Sequence, residues 1–324
     1  MAQKVLVLGA TGETGREIVN ALLAAGTFDV TALVRPSSAT KPAVLALEPT
    51  GVHLLIASLD LPVETLAAQI KPYHTIISCI GPMHQLAQLP LIAATALAGT
   101  QRFVPCGFTT ICPPGGVMYM RDEKERVYQA LWVAKVPYTI IDVGFWHQIS
   151  FLTLPSGRSK YAAIFEFKEV YAGGEAKTLL IDKSDVGRFV ARIVADERTV
   201  NKKVVAWGEE RTQREIKAIM EEVSGETLDN LVEVSESQVR ANAVECLAAF
   251  EAEDNMQTRF GLYNGQYNLS KFVRGDNTLT NALYLGYLDA HVLYPDISPV
   301  AFRDYAREII EGKAVAVYAD GFPS

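Results

Sequence analysis

Three evenly spaced glycines near the start of the chain could bind the phosphates of a dinucleotide. They stand in the run GATGETG, directly after an apolar stretch that ends at Leu8. Glycines at this spacing, between a strand and a helix, allow a tight turn, close approach of the backbone to a pyrophosphate, and close helix–strand packing. The helix then directs unpaired N–H groups and a favourable dipole at the phosphates. The predicted phosphate-binding residues are Gly9, Thr11, Gly12, Glu13, Thr14 and Gly15.

The residue at the end of the second predicted strand indicates which dinucleotide binds. An acidic residue about 20 positions after the loop usually holds a free ribose 2′-hydroxyl. This chain has Arg35 there instead, and the next carboxylate is Glu48. A guanidinium can bind a 2′-phosphate through two hydrogen bonds and stack on the adenine. Lys41 could supply a second positive charge. The sequence therefore favours NADPH over NADH as the cofactor.

The ends of further predicted strands should border the same cofactor, because ligands of an open parallel sheet bind beyond the carboxyl ends of its strands. Gly81, after the fourth strand, would permit close approach to a ribose or pyrophosphate. Asp60, after the third, could contact the adenine or equally well cap a helix. Cys79 and Cys106 are interpreted as small buried residues and not as nucleophiles. The set predicted at these strand ends is Asp60, Cys79, Ile80, Gly81, Gln85, Pro105, Cys106 and Gly107.

Aromatic residues after the sixth predicted strand could form a wall of the substrate pocket. They follow that strand where substrate and nicotinamide would meet, although aromatic residues this close to a sheet are as often part of the core. A lone histidine is also more often structural than catalytic. The predicted substrate residues are Phe108, Tyr119, Phe145, Trp146 and His147. The five histidines lack metal-ligand spacing, so no metal site is predicted, and no GxSxG motif indicates a serine hydrolase.

The elements that must position these residues alternate along the first 150 residues. Short apolar runs predict strands over 4–8, 30–34, 52–56, 75–79, 102–105 and 138–142, and helical patterns cover 15–23, 62–71, 84–98 and 121–135. Thr14 is predicted to open the first helix, and Asp122 to lie in the first turn of the last. This alternation indicates βαβ units, and therefore an α/β fold with a doubly wound parallel sheet.

After residue 150 the pattern is less regular. Helices are predicted over 182–196, 212–224, 235–252, 278–290 and 299–312, with a strand over 203–207. The stretch 253–278 is rich in Asn, Gly and Tyr and is predicted to be a long loop. We expect residues 1–152 to form a dinucleotide-binding Rossmann domain, to which 178–208 returns. Residues 153–177 and 209–324 should form a smaller, mixed α/β substrate-binding lobe.

The composition excludes several classes of protein. The 324 residues are 49% hydrophobic and carry a net charge of −7, which argues against disorder and against a nucleic-acid-binding protein with a basic face. No apolar run is long enough to span a bilayer, and the four cysteines show no CxxC spacing. We expect a cytoplasmic monomer or homodimer with reduced thiols that binds a small molecule and neither nucleic acid nor membrane.

Four motifs of this chain occur together in one known group of proteins. They are GATGETG, Arg35 followed by Pro36 and Ser37, the run RFVPCGF, and a lysine 13 residues before the proline of VPYTIID. This combination resembles the NmrA-like, isoflavone-reductase-like branch of the atypical short-chain dehydrogenases. That branch contains plant reductases, fungal biosynthetic oxidoreductases and a non-catalytic redox-sensing regulator. The resemblance implies a Rossmann fold that binds NADPH.

Lys124 is the residue to which the resemblance assigns chemistry. By pattern alone, the charged run RDEKER (121–126) favours a solvated lysine, whose replacement by alanine should change the free energy of unfolding by less than about 0.5 kcal/mol. The plant reductases use a lysine in this position, which implies that Lys124 gives a proton or hydrogen bond to the substrate beside the cofactor. Tyr267 and Lys271 have the Tyr-x-x-x-Lys spacing of typical short-chain dehydrogenases, but lie far beyond the fifth strand, and we attribute their spacing to chance.

The preferred function is therefore an NADPH-dependent reductase of a small, aromatic or otherwise unsaturated metabolite. A dinucleotide-sensing regulator without catalysis is the alternative, since the same loop serves both. Cys106 and Gly107 stand where the resembled plant enzymes have Ser-Glu, and because they border the pocket, the plant substrates are not implied. The reduced bond stays open among C=C, C=O, C=N and benzylic C–O.

Overall fold

The computed structural model describes residues 2–319, in which a parallel sheet forms the centre of the fold. The strands are β1 (Gln3–Leu8), β2 (Phe28–Val34), β3 (His53–Ile56), β4 (Thr75–Ser78), β5 (Arg102–Val104), β6 (Thr139–Asp142), β7 (Phe145–Trp146), β8 (Glu169–Tyr171), β9 (Thr178–Ile181), β10 (Lys202–Val205), β11 (Glu209–Arg211), β12 (Val232–Val234) and β13 (Tyr287–Asp289). The helices are α1 (Glu13–Ala25), α2 (Pro42–Leu45), α3 (Val63–Ile70), α4 (Leu89–Ala98), α5 (Tyr119–Val133), α6 (Lys183–Val194), α7 (Gln213–Ser224), α8 (Glu236–Ala252), α9 (Met256–Asn268), α10 (Leu279–Tyr284), α11 (Ala290–Leu293) and α12 (Phe302–Ile310).

The central sheet has the strand order of a doubly wound fold. Five parallel strands are ordered β3-β2-β1-β4-β5. A parallel bridge between Phe103 and Tyr138 connects β5 to the start of β6. Beyond it, β6, β10 and β13 continue in parallel. The six strands predicted in the first 150 residues are all present, and the predicted α/β Rossmann-like fold is confirmed.

Alternating residues of β1 show how both faces of the sheet are covered. Val5 and Val7 pack into an apolar cluster with residues of α1 and α6. Leu6 and Leu8 pack into the opposite cluster with residues of α3, α4 and α5. Because successive side chains of a strand point to opposite faces, a strand covered by helices on both sides is apolar throughout. This is why KVLVL is a continuous apolar run.

Smaller sheets form the second part of the structure. The strand β9 pairs with β7 and β11, and β8 pairs with β12. Their apolar cluster includes Phe151, Ile216, Met220 and Phe302. The strand β13 lies in the parallel sheet beside β10, within a range that the sequence analysis assigns to the lobe. The division into two domains stays a prediction.

The predicted long loop over 253–278 is wrong. Residues Met256–Asn268 form α9, which continues into a π-helical turn over Leu269–Arg274. Asn255 caps α9 by accepting a hydrogen bond from the N–H of Thr258. Burial of Leu262 and Tyr263 outweighs the weak helix propensity of the Asn, Gly and Tyr residues, since tertiary packing overrides propensity.

Other helix boundaries differ from the predictions for local reasons. The helix predicted over 278–290 ends at Tyr284, because Gly286 takes a left-handed conformation and β13 follows. Residues 84–88 of the predicted 84–98 helix belong to a 3₁₀ segment (Pro82–Gln88), and α4 begins at Leu89 with a proline in its first turn. Gly12, and not Thr14, is the residue that precedes α1. Asp122 lies in the first turn of α5, as predicted.

The helices of the described residues 2–319 are all too short or too polar to cross a membrane.

Candidate active site

The glycine loop lies tightly against the end of β4. Gly9 has φ +78°, and a Cβ there would lie 2.3 Å from the carbonyl oxygen of Cys79. A Cβ on Gly15 would lie 2.0 Å from the carbonyl oxygen of Gly9. Real Cβ atoms do not approach backbone oxygens this closely, so both positions require glycine. The two glycines hold the loop and the first turn of α1 against the sheet.

The N-terminus of α1 is open to a ligand. Gly12 precedes the helix in an extended conformation, and no side chain caps it. The first N–H groups of a helix have no partner within the helix, so they can bind an anion. A Cβ on Gly12 would meet the carbonyl oxygens of Gly9 and Cys79 at 3.4 and 4.0 Å, without overlap. The predicted phosphate-binding geometry is therefore available at this turn, in which Thr11, Glu13 and Thr14 also lie.

Two distant residues neutralise and cover the acidic side chain in this loop. The carboxylate of Glu13 pairs with the ammonium of Lys183, at the start of α6. The other Glu13 oxygen accepts a hydrogen bond from the backbone N–H of Tyr318 at 3.0 Å. Lys183 also lies 3.8 Å from Glu17. These partners lie 170 and 305 residues from Glu13, and no sequence pattern indicates them.

Arg35 follows β2 directly and is exposed. Within residues 2–319 its guanidinium has no hydrogen-bond or ion-pair partner. Lys41 is exposed nearby in the chain, directly before α2. Asp60 accepts a hydrogen bond from the hydroxyl of Ser58 at 3.0 Å. It does not cap α3, which is preceded by Pro62, so the N-cap interpretation of Asp60 is wrong and the adenine contact stays a prediction.

A cavity of about 260 Å³ lies beyond the carboxyl ends of β4, β5 and β6. Seven of the residues predicted to contact the cofactor line it: Thr14, Cys79, Ile80, Gln85, Cys106, Gly107 and Lys124. Two other predicted residues, Gly81 and Pro105, do not line the cavity but are adjacent in sequence to residues that do. Its position matches the crevice where ligands of doubly wound sheets bind. We call it the main cavity.

Lys124 is buried at the floor of the main cavity, only 2% exposed. Its Nζ atom donates hydrogen bonds to the carbonyl oxygens of Cys106 and Gly107, at 2.7 and 2.9 Å. A third bond goes to Oε1 of Gln85 at 3.1 Å. Burial lowers the pKa of the Lys124 ammonium from its usual value. The expectation of a solvated lysine is wrong, because α5 turns this face toward the loop after β5.

Two glutamines hold the loop that Lys124 contacts. Oε1 of Gln88 accepts a hydrogen bond from the N–H of Cys106 at 2.8 Å. Nε2 of Gln85 donates to Sγ of Cys106 at 3.9 Å, and it also donates to the carbonyl oxygen of Gly81, in the loop after β4, at 3.3 Å. Gln88 has no role in the sequence analysis, since only the fold brings it to β5. Burial raises the pKa of the Cys79 thiol well above its usual value, which agrees with its interpretation as a buried residue and not a nucleophile.

Half of the charged run that contains Lys124 is buried, namely Arg121, Glu123 and Lys124. Arg121 donates from Nη2 to Oδ2 of Asp142 at 2.7 Å and to the carbonyl oxygen of Thr110 at 2.8 Å. The hydroxyl of Tyr287 donates to the same Asp142 oxygen at 2.5 Å. This buried pair joins α5 to β6 and β13. Arg121 and Lys124 therefore have internal partners, whereas Arg126 of the same run is exposed.

Three of the five predicted substrate residues line the main cavity. Phe108, with φ +45°, lies beside Phe145 and Trp146 on its wall. Trp146 stacks with Tyr318, whose ring is 6.3 Å away at an angle of 27°. Tyr318 also lines the cavity, and nothing in the sequence pattern predicts this. Tyr318 thus lies at the cavity between Trp146 and the glycine loop.

The placement of Tyr119 and His147 at the substrate pocket is wrong. The ring of Tyr119 packs against Phe250 of α8, with centroids 4.9 Å apart, and does not line the cavity. His147 is fully buried beside Phe302 and Tyr305 of α12. Neither of its ring nitrogens has a hydrogen-bond partner in the described chain. Burial lowers the pKa of His147 to about 4.

The two residues with the Tyr-x-x-x-Lys spacing line different cavities, and only Tyr267 reaches the main cavity, because α9 packs there. The hydroxyl of Tyr267 lies 2.6 Å from that of Thr109, and both residues line the main cavity. Burial raises the pKa of Tyr267 to about 12. Lys271 lines a second, smaller cavity next to it. The expectation of a loop over 253–278 concealed the position of Tyr267, and the attribution of the Tyr-x-x-x-Lys spacing to chance stays a prediction.

Among the described residues, no group of three or more His, Cys, Asp and Glu side chains is placed to hold a metal ion.

Comparison with known proteins places this architecture in a family. The model of the NmrA-like family matches residues 1–274. Asnovolin J 5',6'-dehydrogenase of Aspergillus novofumigatus is 35% identical over 313 residues, which cover 95% of each chain. A bifunctional pinoresinol-lariciresinol reductase of Linum perenne is 30% identical over 254 residues, 70% of this chain and 77% of that protein.

A solved structure shows the same fold. The leucoanthocyanidin reductase of Vitis vinifera, in a binary complex with NADPH, matches with a TM-score of 0.78 at 24% identity, over 95% of this chain and 99% of that one. At this identity the likeness speaks for the fold alone. The match to the family model and the relatives at 30% identity and above confirm the resemblance drawn from the motifs: the chain belongs to the NmrA-like family.

Proposed function

We propose that this chain is an NADPH-dependent reductase of a small, aromatic or otherwise unsaturated secondary metabolite. The observation that carries the proposal is one cavity bordered by the first turn of α1, by Lys124 and by nine aromatic side chains. Such a cavity can hold a planar molecule beside the ring of a dinucleotide. The names of the relatives, a dehydrogenase and a bifunctional reductase, support the same class of reaction.

The residues around the glycine loop fit a dinucleotide phosphate. The N-terminus of α1 has no side-chain cap, and Gly9 and Gly15 leave no Cβ between loop and sheet. The unpartnered Arg35 stands where a 2′-phosphate would need a cation. When bound, NADPH would supply the hydride for the reduction.

An ion pair at the start of α1 makes the phosphate end of the site more favourable for a negatively charged ligand. An unpaired Glu13 would repel a pyrophosphate at the same turn. Its ion pair with Lys183 cancels that charge, so that the N–H groups and the dipole of α1 determine the local potential. Lys183 thereby supports phosphate binding without contacting the phosphate.

We assign Lys124 two tasks. Its three hydrogen bonds use all the donors of an ammonium group, so it holds the backbone after β5 in place. To reach a substrate oxygen, it must release one partner, and the side chain of Gln85 is the one that can rotate away. The lowered pKa that burial causes makes the ammonium a better proton donor near neutral pH.

The alternative, a regulator that only senses the dinucleotide, finds less support. Phosphate recognition requires the glycine loop and Arg35, but not an aromatic cavity with a buried lysine on its floor. The site therefore favours catalysis.

A substrate screen tests the proposal. Purified protein is incubated with NADPH and with quinones, enones or aryl ketones, and the loss of NADPH absorbance is recorded. We expect at least one class to be reduced, with saturation, and Lys124→Met to slow that reaction by about 10²–10⁴-fold. Tight NADPH binding without consumption by any class would favour the regulator.

A further inference from the structure

A second cavity lies behind the aromatic wall of the main cavity. It has a volume of about 100 Å³, and we call it the inner cavity. The two cavities adjoin, because Phe145, Ile149, Phe167 and Asn264 line both. A group at the far end of a molecule in the main cavity could therefore enter the inner one. Its size admits a small group and not a ring system.

The inner cavity contains a buried lysine that has no hydrogen-bond or ion-pair partner within residues 2–319. Lys271 is 3% exposed, and its Nζ atom lies 3.1 Å from the centroid of the Phe145 ring and 4.6 Å from that of Phe272. In residues 2–319 no oxygen accepts a hydrogen bond from this Nζ, and no carboxylate lies within ion-pair distance. Lys124 and Lys183, the other buried lysines named above, both have oxygen partners.

Such an arrangement is costly for the folded protein. An ammonium without hydrogen bonds or a counter-charge loses its hydration and gains only the ring contacts. Burial holds the pKa of Lys271 well below its usual range, which reflects this cost. Glu169 is the acidic residue that lines the inner cavity, but its carboxylate forms no ion pair with Lys271; one of its oxygens lies 3.3 Å from the backbone N–H of Lys168.

The backbone that carries Lys271 is also unusual. Residues Leu269–Arg274 form a π-helical turn at the end of α9. π-Helical turns are rare, and they are frequent at functional sites, where they change the direction in which a side chain points. Here the turn brings Lys271 to the inner cavity.

We propose that the inner cavity binds an oxyanion, a carboxylate or an acidic enol at the far end of the substrate, against the ammonium of Lys271. As a statement about the substrate, this inference rests on the proposed function; as a statement about a binding site, it does not. The oxyanion supplies the negative charge that no side chain of residues 2–319 places beside Lys271. In a buried site of low dielectric this pairing is strong, and it orients the substrate so that its other end lies near Lys124.

A pair of matched probes tests the site. Hydrocinnamate and hydrocinnamamide have the same shape, but only the first carries an oxyanion. Calorimetric titration of the parent protein should show the acid binding more tightly than the amide, on the order of tenfold or more. Lys271→Met should abolish this preference. Lys177→Met, which removes an exposed lysine 3.9 Å from Glu210, is the control for net charge and should keep it.

Three results would overturn the proposal. They are equal binding of acid and amide by the parent, no binding of the acid at millimolar concentration, and a preference that survives in Lys271→Met. The last would place the anion at another cation such as Lys124. The parent comparison needs no variant, so equal binding of acid and amide would overturn the proposal even if Lys271→Met fails to fold.

Two further readouts distinguish an anion site at Lys271 from a purely structural lysine and from the cofactor site. NADPH is titrated against the same variants: unchanged NADPH affinity in Lys271→Met, with the acid preference lost, supports the inner site. Failure of NADPH to bind the parent would contradict the proposed function without contradicting the anion site.

Melting temperatures provide the second readout. We expect Lys271→Met to melt higher than the parent, since an unpaired buried cation is removed, whereas a purely structural lysine would give a lower value.

Discussion

At the scale of single residues, Lys124 connects stability with catalysis. Its ammonium satisfies two backbone carbonyl oxygens in a buried loop. A buried acceptor that loses its partner costs about 1–3 kcal/mol. The small effect of less than about 0.5 kcal/mol expected from the charged run is therefore wrong, because that value applies to exposed lysines.

We predict that Lys124→Met lowers the free energy of unfolding by about 1–3 kcal/mol while the protein still folds. Urea unfolding followed by circular dichroism measures the change. Lys71→Met removes an exposed lysine and should leave the urea midpoint close to that of the parent. If both variants unfold at the same midpoint, the hydrogen bonds of Lys124 do not stabilise the fold.

His147 should make stability depend on pH in a defined window. Burial lowers its pKa from 6.5 to about 4 in the folded state, so between these values the unfolded chain binds more protons. Stability should therefore fall as the pH decreases from about 6.5 to about 4, by on the order of 3 kcal/mol. His147→Phe, which keeps the packing against Phe302, should lose this contribution. Urea titrations across that window measure it, and an identical pH dependence in parent and variant would contradict the assignment.

At the scale of elements, the turn from β1 into α1 contains one glycine that the fold requires and another that ligand binding requires. A Cβ at Gly12 would meet one backbone oxygen at 3.4 Å, whereas one at Gly15 would overlap the Gly9 oxygen at 2.0 Å. The two glycines therefore serve different purposes. Gly15 allows the helix to pack on the loop, and Gly12 leaves space for a ligand.

We predict that Gly12→Val folds and loses NADPH binding, and that Gly15→Val fails to fold or melts far below the parent. Thermal melts and NADPH titration on both variants measure this. The matched pair is informative because the substitution is the same and the positions lie three residues apart. Unchanged NADPH affinity in a folded Gly12→Val protein would show that the loop is not the phosphate site.

The elements also show where sequence reasoning succeeds and fails. The strand β1 and the helix α1 are predictable because apolar runs and the glycine spacing are local signals. The helix α9 is not, because its Asn, Gly and Tyr residues have weak helix propensity and the packing of Leu262 and Tyr263 stabilises it. An error in one element then conceals a part of the site, since α9 carries Tyr267.

At the scale of the whole molecule, the site is assembled from distant parts of the chain. The glycine loop and Arg35 could be predicted, because each stands next to a strand that the pattern reveals, whereas the role of Lys124 followed from the family resemblance and not from the pattern. Lys183 and Tyr318 could not, because their contacts with Glu13 exist only after α6 and the C-terminal segment fold back onto α1. Such long-range contacts leave no spacing in the sequence.

The choice between NADPH and NADH tests the account most directly, because it depends on the open helix N-terminus and on Arg35 together. Calorimetric titration of the parent and of Arg35→Ala with both cofactors is the measurement. We predict that the parent binds NADPH more tightly than NADH, and that Arg35→Ala weakens NADPH binding by about 1.5–3 kcal/mol while NADH affinity changes little. Equal affinity of the parent for the two cofactors, or no binding of either, would contradict the account.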